Sequence, residues 1–140
     1  MSEFVLNPDR ELAEDVLVMG LLVNGRTTLD DFVFTERTRA LADLLSEFGL
    51  GIEEKGSSTI LSGVGFSYRV PALLKIPESE NAMALLFALA SRDEDTLYSV
   101  TGSESMLLKA RAFLTNVLGA VIEKEEQSEA GRTLSVHFEK

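Results

Sequence analysis

Cysteine is absent from this chain, and with it go thiol catalysis, disulfides and thiolate metal sites. The absence says little about compartment, because a reducing cytoplasm suits such a chain as well as any other. Cations are scarce. Thirteen Lys and Arg stand against 23 Asp and Glu, a formal net charge of −10. Duplex nucleic acid and anionic membranes are excluded as expected partners, since both are bound by clustered Lys and Arg. Long hydrophobic runs are missing as well. The two longest, Val16 to Val23 and Ala82 to Ala90, are eight and nine residues, against the roughly 20 that cross a bilayer. Met1-Ser2-Glu3 lacks the basic start of a signal peptide, so the expected location is the cytoplasm.

What is present is an ordinary globular composition, 45% hydrophobic and 26% charged in 140 residues. A chain of that length buries about 70% of its unfolded surface without a metal or disulfide. It also repeats itself. Pro8, Glu11, Ala13, Thr28-Leu29 and Gly49 pair with Pro77, Glu80, Ala82, Thr96-Leu97 and Gly119 at a nearly constant offset. A fixed period sets architecture. The expectation is one domain made of two repeats, about 1–66 and 67–140.

Each repeat reads strand, helix, strand, helix, strand, strand. In the first, Phe4-Val5-Leu6 is a strand and Asp9 stands at an N-cap. Val16 to Val23 is apolar nearly all round, as a helix in the middle of something is, and Gly25 suits its C′ position. Thr27 to Phe34 has strand character. Thr35 caps a second helix with a stripe of Leu41, Leu44, Leu45 and Phe48. Ile52 to Glu54 and Thr59 to Leu61 flank a turn. In the second repeat a helix is lined by Ala82, Leu85, Leu86 and Leu89 after a strand at 70–76. Asp95 to Val100 is a strand, and Ser103 caps a helix whose stripe is Leu107, Ala110, Leu114 and Val117. Val121 to Glu125 and Arg132 to Phe138 close as a hairpin. The fold class is therefore α+β, built from two βαβαββ units of α/β type, with largely apolar helices packed inside sheets. The first helix of each unit is the more evenly apolar and is expected to be the more buried.

This order and its local words resemble the enolpyruvyl transferase family, the 3-phosphoshikimate and UDP-N-acetylglucosamine 1-carboxyvinyltransferases. Asp9 to Asp15 stands where the family has Asp-Lys-Ser-Ile-Ser-His-Arg. Thr35-Glu36-Arg37-Thr38-Arg39 is similar to its Ser-Asp-Asp-Thr-Arg, and Ala82-Met83-Ala84 to its Met-Ala-Met-Ala helix. The resemblance implies an enolpyruvate transferase-like fold of six such units, of which this chain has two. By that count three chains would supply six, although a monomer or dimer is equally compatible with the residues.

The resemblance also implies a reaction that holds two anions together, which demands Lys and Arg at set places. Those places are altered. The family's Lys is Arg10, its first Ser is Glu11 and its terminal Arg is Asp15. In the second copy its Arg-bearing word is replaced by Glu78-Ser79-Glu80. At roughly 4 Å such a reversal swings several kcal/mol at an effective dielectric near 20.

The expectation is an enolpyruvyl transferase-like protein with degraded anion-binding motifs, a non-catalytic binding or assembly module with no catalytic residues and no cofactor. The alternative is an active carboxyvinyltransferase assembled from several chains or with a partner subunit. Arg10, Arg37 and Arg39 form either a residual substrate site for a small anionic metabolite or ordinary helix-start charges, Arg37 and Arg39 paired with Glu36 or Asp43 or simply solvated, Arg10 near Asp9 and Glu11. Homo-oligomerisation is the other expected association. Glu11, Glu14 and Asp15 are explained by the helix dipole rather than by a metal. His137 alternates with Leu134, Val136 and Phe138 and should fall on the solvated face.

Overall fold

The computed structural model describes residues 2–6, 13–92, 97–128 and 131–138. Two compact units emerge, Met1–Val70 and Pro71–Lys140. Their boundary lies four residues beyond the expected 66/67, because the 3-10 turn Gly65–Ser67 and the segment after it belong to the first unit. Tyr68 is buried there, and the Arg69 N–H donates to the Phe48 carbonyl at 2.9 Å.

The first unit runs β1 (Ser2–Leu6), α1 (Ala13–Leu22), β2 (Gly25–Asp30), α2 (Glu36–Phe48), β3 (Gly51–Lys55) and β4 (Ser58–Ser62). Its sheet has the order β1-β2-β4-β3. β1 and β2 are parallel, so a crossover must join them, and α1 is that crossover. β4 is antiparallel to both β2 and β3. The second unit repeats this with β5 (Leu73–Lys75), α3 (Glu80–Ala90), β6 (Leu97–Thr101), α4 (Glu104–Asn116), β7 (Val121–Ser128) and β8 (Gly131–His137). Its order, β5-β6-β8-β7, and its strand directions are the same. Each unit packs its two helices together, α1 on α2 and α3 on α4, and α1, α2 and α4 contact strands of their own sheet.

Local chemistry explains most boundaries. Thr35 and Thr38 form a reciprocal capping box: the Thr38 N–H donates to Thr35 Oγ1 at 3.2 Å and the Thr35 N–H to Thr38 Oγ1 at 2.8 Å. Ser79 and Ser103 cap α3 and α4 by accepting from the N–H three residues on. Gly49 ends α2 at φ 119°, a conformation that glycine adopts without strain. The expected stripe Leu41, Leu44, Leu45 and Phe48 is buried throughout. The first helix of each unit is the more buried, with six buried residues in the ten of α1 against six in the thirteen of α2, and six in the eleven of α3 against four in the thirteen of α4.

Other expectations change. Gly25 opens β2 instead of closing α1. β2 stops at Asp30, and Val33 is 78% exposed beyond it. Leu85 is half-buried, and Met83 and Phe87 take its core place. Val117 follows the end of α4 and is 65% exposed, while Met106 fills the stripe instead. Leu29 is buried but Leu97, paired with it by sequence, is 58% exposed; Tyr98 and Val100 point inward in β6. A one-residue difference in register reverses a strand's faces, and word matching cannot detect it. The expected N-cap at Asp9 and the strand start at Asp95 lie outside the described residues.

Thr27, on the helix-facing side of β2, is 3% exposed, and its hydroxyl has no partner among the described residues. Thr27→Val keeps the shape and removes that desolvated group. It is expected to raise the urea unfolding free energy by about 1 kcal/mol; a loss of stability would show that the hydroxyl is bonded.

Candidate functional site

The arginine words come first. Arg10 lies outside the described residues. Arg37 and Arg39 sit on the first turn of α2 two residues apart, a spacing that sends side chains to different faces of a helix. Arg39 is engaged. Its Nη2 lies 3.2 Å from Glu54 Oε1 and its Nη1 3.5 Å from Oε2, and its Cζ stands 3.9 Å over the Phe34 ring. Both members of the ion pair are about half exposed, so the pair is worth at most about 1 kcal/mol. The expected partners Glu36 and Asp43 are not the ones used. Arg37 is exposed and makes no ion pair among the described residues. Thr38, at the centre of the word, serves the capping box and is buried.

The second unit carries most of the described ion pairs. Glu80, in the first turn of α3, meets Lys109 Nζ of α4 at 2.7 Å and so ties the two helices together. On the hairpin, Glu125 accepts a close contact from Arg111 of α4. Arg132 approaches Glu125 at 3.5 Å and Glu104 at 3.8 Å. Lys124 is held protonated to higher pH than usual, chiefly by its hydrogen bond to Glu126 and then by that carboxylate's charge. β7 bulges between Ile122 and Lys124, and Glu123 there meets His137 Nδ1 at 2.7 Å. His137 does face away from buried Leu134, Val136 and Phe138, yet its side chain is only 18% exposed, because Glu123 and the bulged strand partly cover it.

Two adjoining cavities open at the carboxyl ends of β5 and β6. One of about 420 Å³ is lined by Lys75, Ile76, Thr101, Gly102, Gly131, Arg132 and Thr133. Its neighbour, about 260 Å³, shares Gly102, Gly131 and Arg132 and adds Glu104, Leu107 and Gln127. Strand pairing assembles this lining: Lys75 stands beside Thr101, and Thr101 beside Thr133. Nothing in the sequence words marked Lys75, Thr101, Arg132 or Thr133. The only available signal was their position at strand ends, where open α/β sheets hold ligands. No group of three or more His, Asp or Glu among the described residues is placed to hold a metal ion. No helix among them is long and apolar enough to cross a membrane.

No family model matches the chain. In sequence it is similar to the 3-phosphoshikimate 1-carboxyvinyltransferase of Caldicellulosiruptor bescii, 26% identical over 109 residues, which cover 77% of this chain and 25% of that protein. It is similar to the same enzyme of a Synechocystis species, 26% identical over 101 residues, covering 70% of this chain and 23% of that one. Its fold is that of the EPSP synthase of Acinetobacter baumannii: the TM-score is 0.68 at 21% identity, over 97% of this chain and 32% of that one. The chain thus spans about a quarter of the length of these curated relatives and about a third of that structure.

Proposed function

We propose that this chain, a relative of the enolpyruvyl transferases that carries their fold over part of their length, is a non-catalytic binding or assembly module. The observation that supports this reading is the state of the second unit's helix start. Where the resemblance implies a cation for an anionic substrate, Glu78 and Glu80 stand at the start of α3, and Glu80 is paired with Lys109. A carboxylate there repels phosphate, and the lysine that could offset it is already committed. Asp15 makes the equivalent reversal on α1, in the first turn of the helix. Fold likeness alone does not decide activity, so the residues at these positions carry the argument.

The test is a coupled phosphate-release assay with phosphoenolpyruvate and shikimate 3-phosphate, run alongside thermal shift with each compound. The expected result is no release above the blank, and no thermal shift from either compound beyond what the same concentration of inorganic phosphate or acetate gives. Release that scales with phosphoenolpyruvate would overturn the reading. If that release came from a pure oligomer of measured mass, it would favour the alternative, a carboxyvinyltransferase assembled from several chains.

A further inference from the structure

We propose that the adjoining cavities of the second unit bind a compact organic anion, with Lys75 and Arg132 taking its charge and Thr101 and Thr133 its neighbouring oxygens. The inference rests on the reading of the chain as a binding module and names the class of its ligand.

Arg132 carries the argument. Its side chain is about one-third exposed. Its carboxylate contacts, at 3.5 Å and 3.8 Å, are too long for charge-assisted hydrogen bonds, which run at about 2.7–2.9 Å. Glu125 is held closely by Arg111 through Oε2, and Arg132 approaches its other oxygen, Oε1, only at the longer distance. The Arg132 guanidinium makes no closer polar contact than these two among the described residues, and its five donors leave capacity for a further acceptor. Arg132 lines both cavities.

The remaining lining fits the same ligand. Lys75 makes no ion pair among the described residues and stands one strand away from Thr101. Thr101 and Thr133 face each other across β6 and β8 and offer two hydroxyls as donors or acceptors. Gly102 and Gly131 keep the mouth free of side chains; a Cβ at Gly131 would meet nothing within 4 Å. A volume of about 420 Å³ is in the range of small-ligand pockets. Lys75 and Arg132 against Glu104 leave the lining one charge positive, in a protein of net charge −10. A local cation excess against an acidic background selects a small anion that fits inside and repels a large polyanion that must lie across the surface. Neither Lys75 nor Arg132 belongs to the words that carry the family resemblance.

The experiment is an NMR titration of the full ¹⁵N-labelled chain with inorganic phosphate and, separately, acetate, using sodium chloride to match ionic strength. The expected result is saturable shifts centred on the Thr101, Gly102 and Thr133 amides and the Arg132 Nε–H, with at least one of the two anions. Stronger response to phosphate or to acetate assigns the ligand's anionic group. Lys75→Ala and Arg132→Gln should each weaken binding about tenfold with the rest of the spectrum unchanged. Shifts that do not saturate, that match those from chloride, or that centre on Arg37 and Arg39 would overturn the proposal. Such a failure leaves the phosphate-release result untouched, so the two readings fail separately.

Discussion

Gly63→Ala is expected to unfold the first unit or to destabilise it by more than about 4 kcal/mol. A Cβ at this position would lie 2.0 Å from the Gly20 carbonyl oxygen, 2.1 Å from that of Val23 and 2.8 Å from that of Leu21. All three are backbone atoms at the C-terminus of α1, so no side chain can rotate out of the way. The approach exists for a reason. The last carbonyls of a helix lack intrahelical partners. The chain leaving β4 passes close enough for the Val64 N–H to donate to Leu21 O at 3.0 Å, while the Gly63 N–H donates to Gly25 O at 2.9 Å. Moving the strand outward to admit a methyl group breaks both bonds. Urea unfolding of the variant measures the loss. Gly56→Ala is the control: Gly56 has φ 59° but open space around it, so the cost there is backbone strain alone, about 1–2 kcal/mol. A Gly63→Ala variant as stable as Gly56→Ala would mean that the contact of β4 with α1 is not as close as described.

Phe48→Ala should cost about 3–5 kcal/mol. The ring closes the apolar stripe of α2, is 1% exposed, and lies 6.1 Å from the Tyr68 ring. Tyr68 is held over it from the segment after the 3-10 turn, where the Arg69 N–H bonds to the carbonyl of Phe48 itself. That backbone tie limits collapse around the vacated space, which puts the expected cost toward the upper end. Urea unfolding should show a lower midpoint with an unchanged slope, the mark of lost stability rather than a changed denatured state. Phe48→Leu keeps most of the volume and should cost roughly 1 kcal/mol. Equal costs for the two variants would show that packing does not set the stability here.

These two residues separate what was legible from what was not. Phe48 stands in a stripe at helical spacing between a capping threonine and a glycine, and each of those signals lies within a few residues of the next. The twelve-element order was readable in the same way, because helix period, caps and turn residues act locally. Nothing in the residues around Gly63 marks it as critical. Its importance comes from α1, about forty residues earlier in the chain. Leu97 and Val117 misled for the same reason: which face of a strand or helix end is covered depends on register and on where another element ends.

The candidate site divides similarly. Sequence alone settled the duplication, the alternation of helices and strands in each unit, and the carboxylates Asp15, Glu78 and Glu80 around the helix starts. These are matters of residue identity and short-range spacing, and no folding is required to read them. Tertiary structure alone decided which cations are spent and which are not. Arg39 is taken up by Glu54 and Phe34, Lys109 by Glu80 and Arg111 by Glu125, whereas Lys75 and Arg132, the latter only loosely paired with Glu125 and Glu104, meet at a cavity. A charge's partner is set by strand pairing and helix approach, and both join residues that the chain keeps far apart.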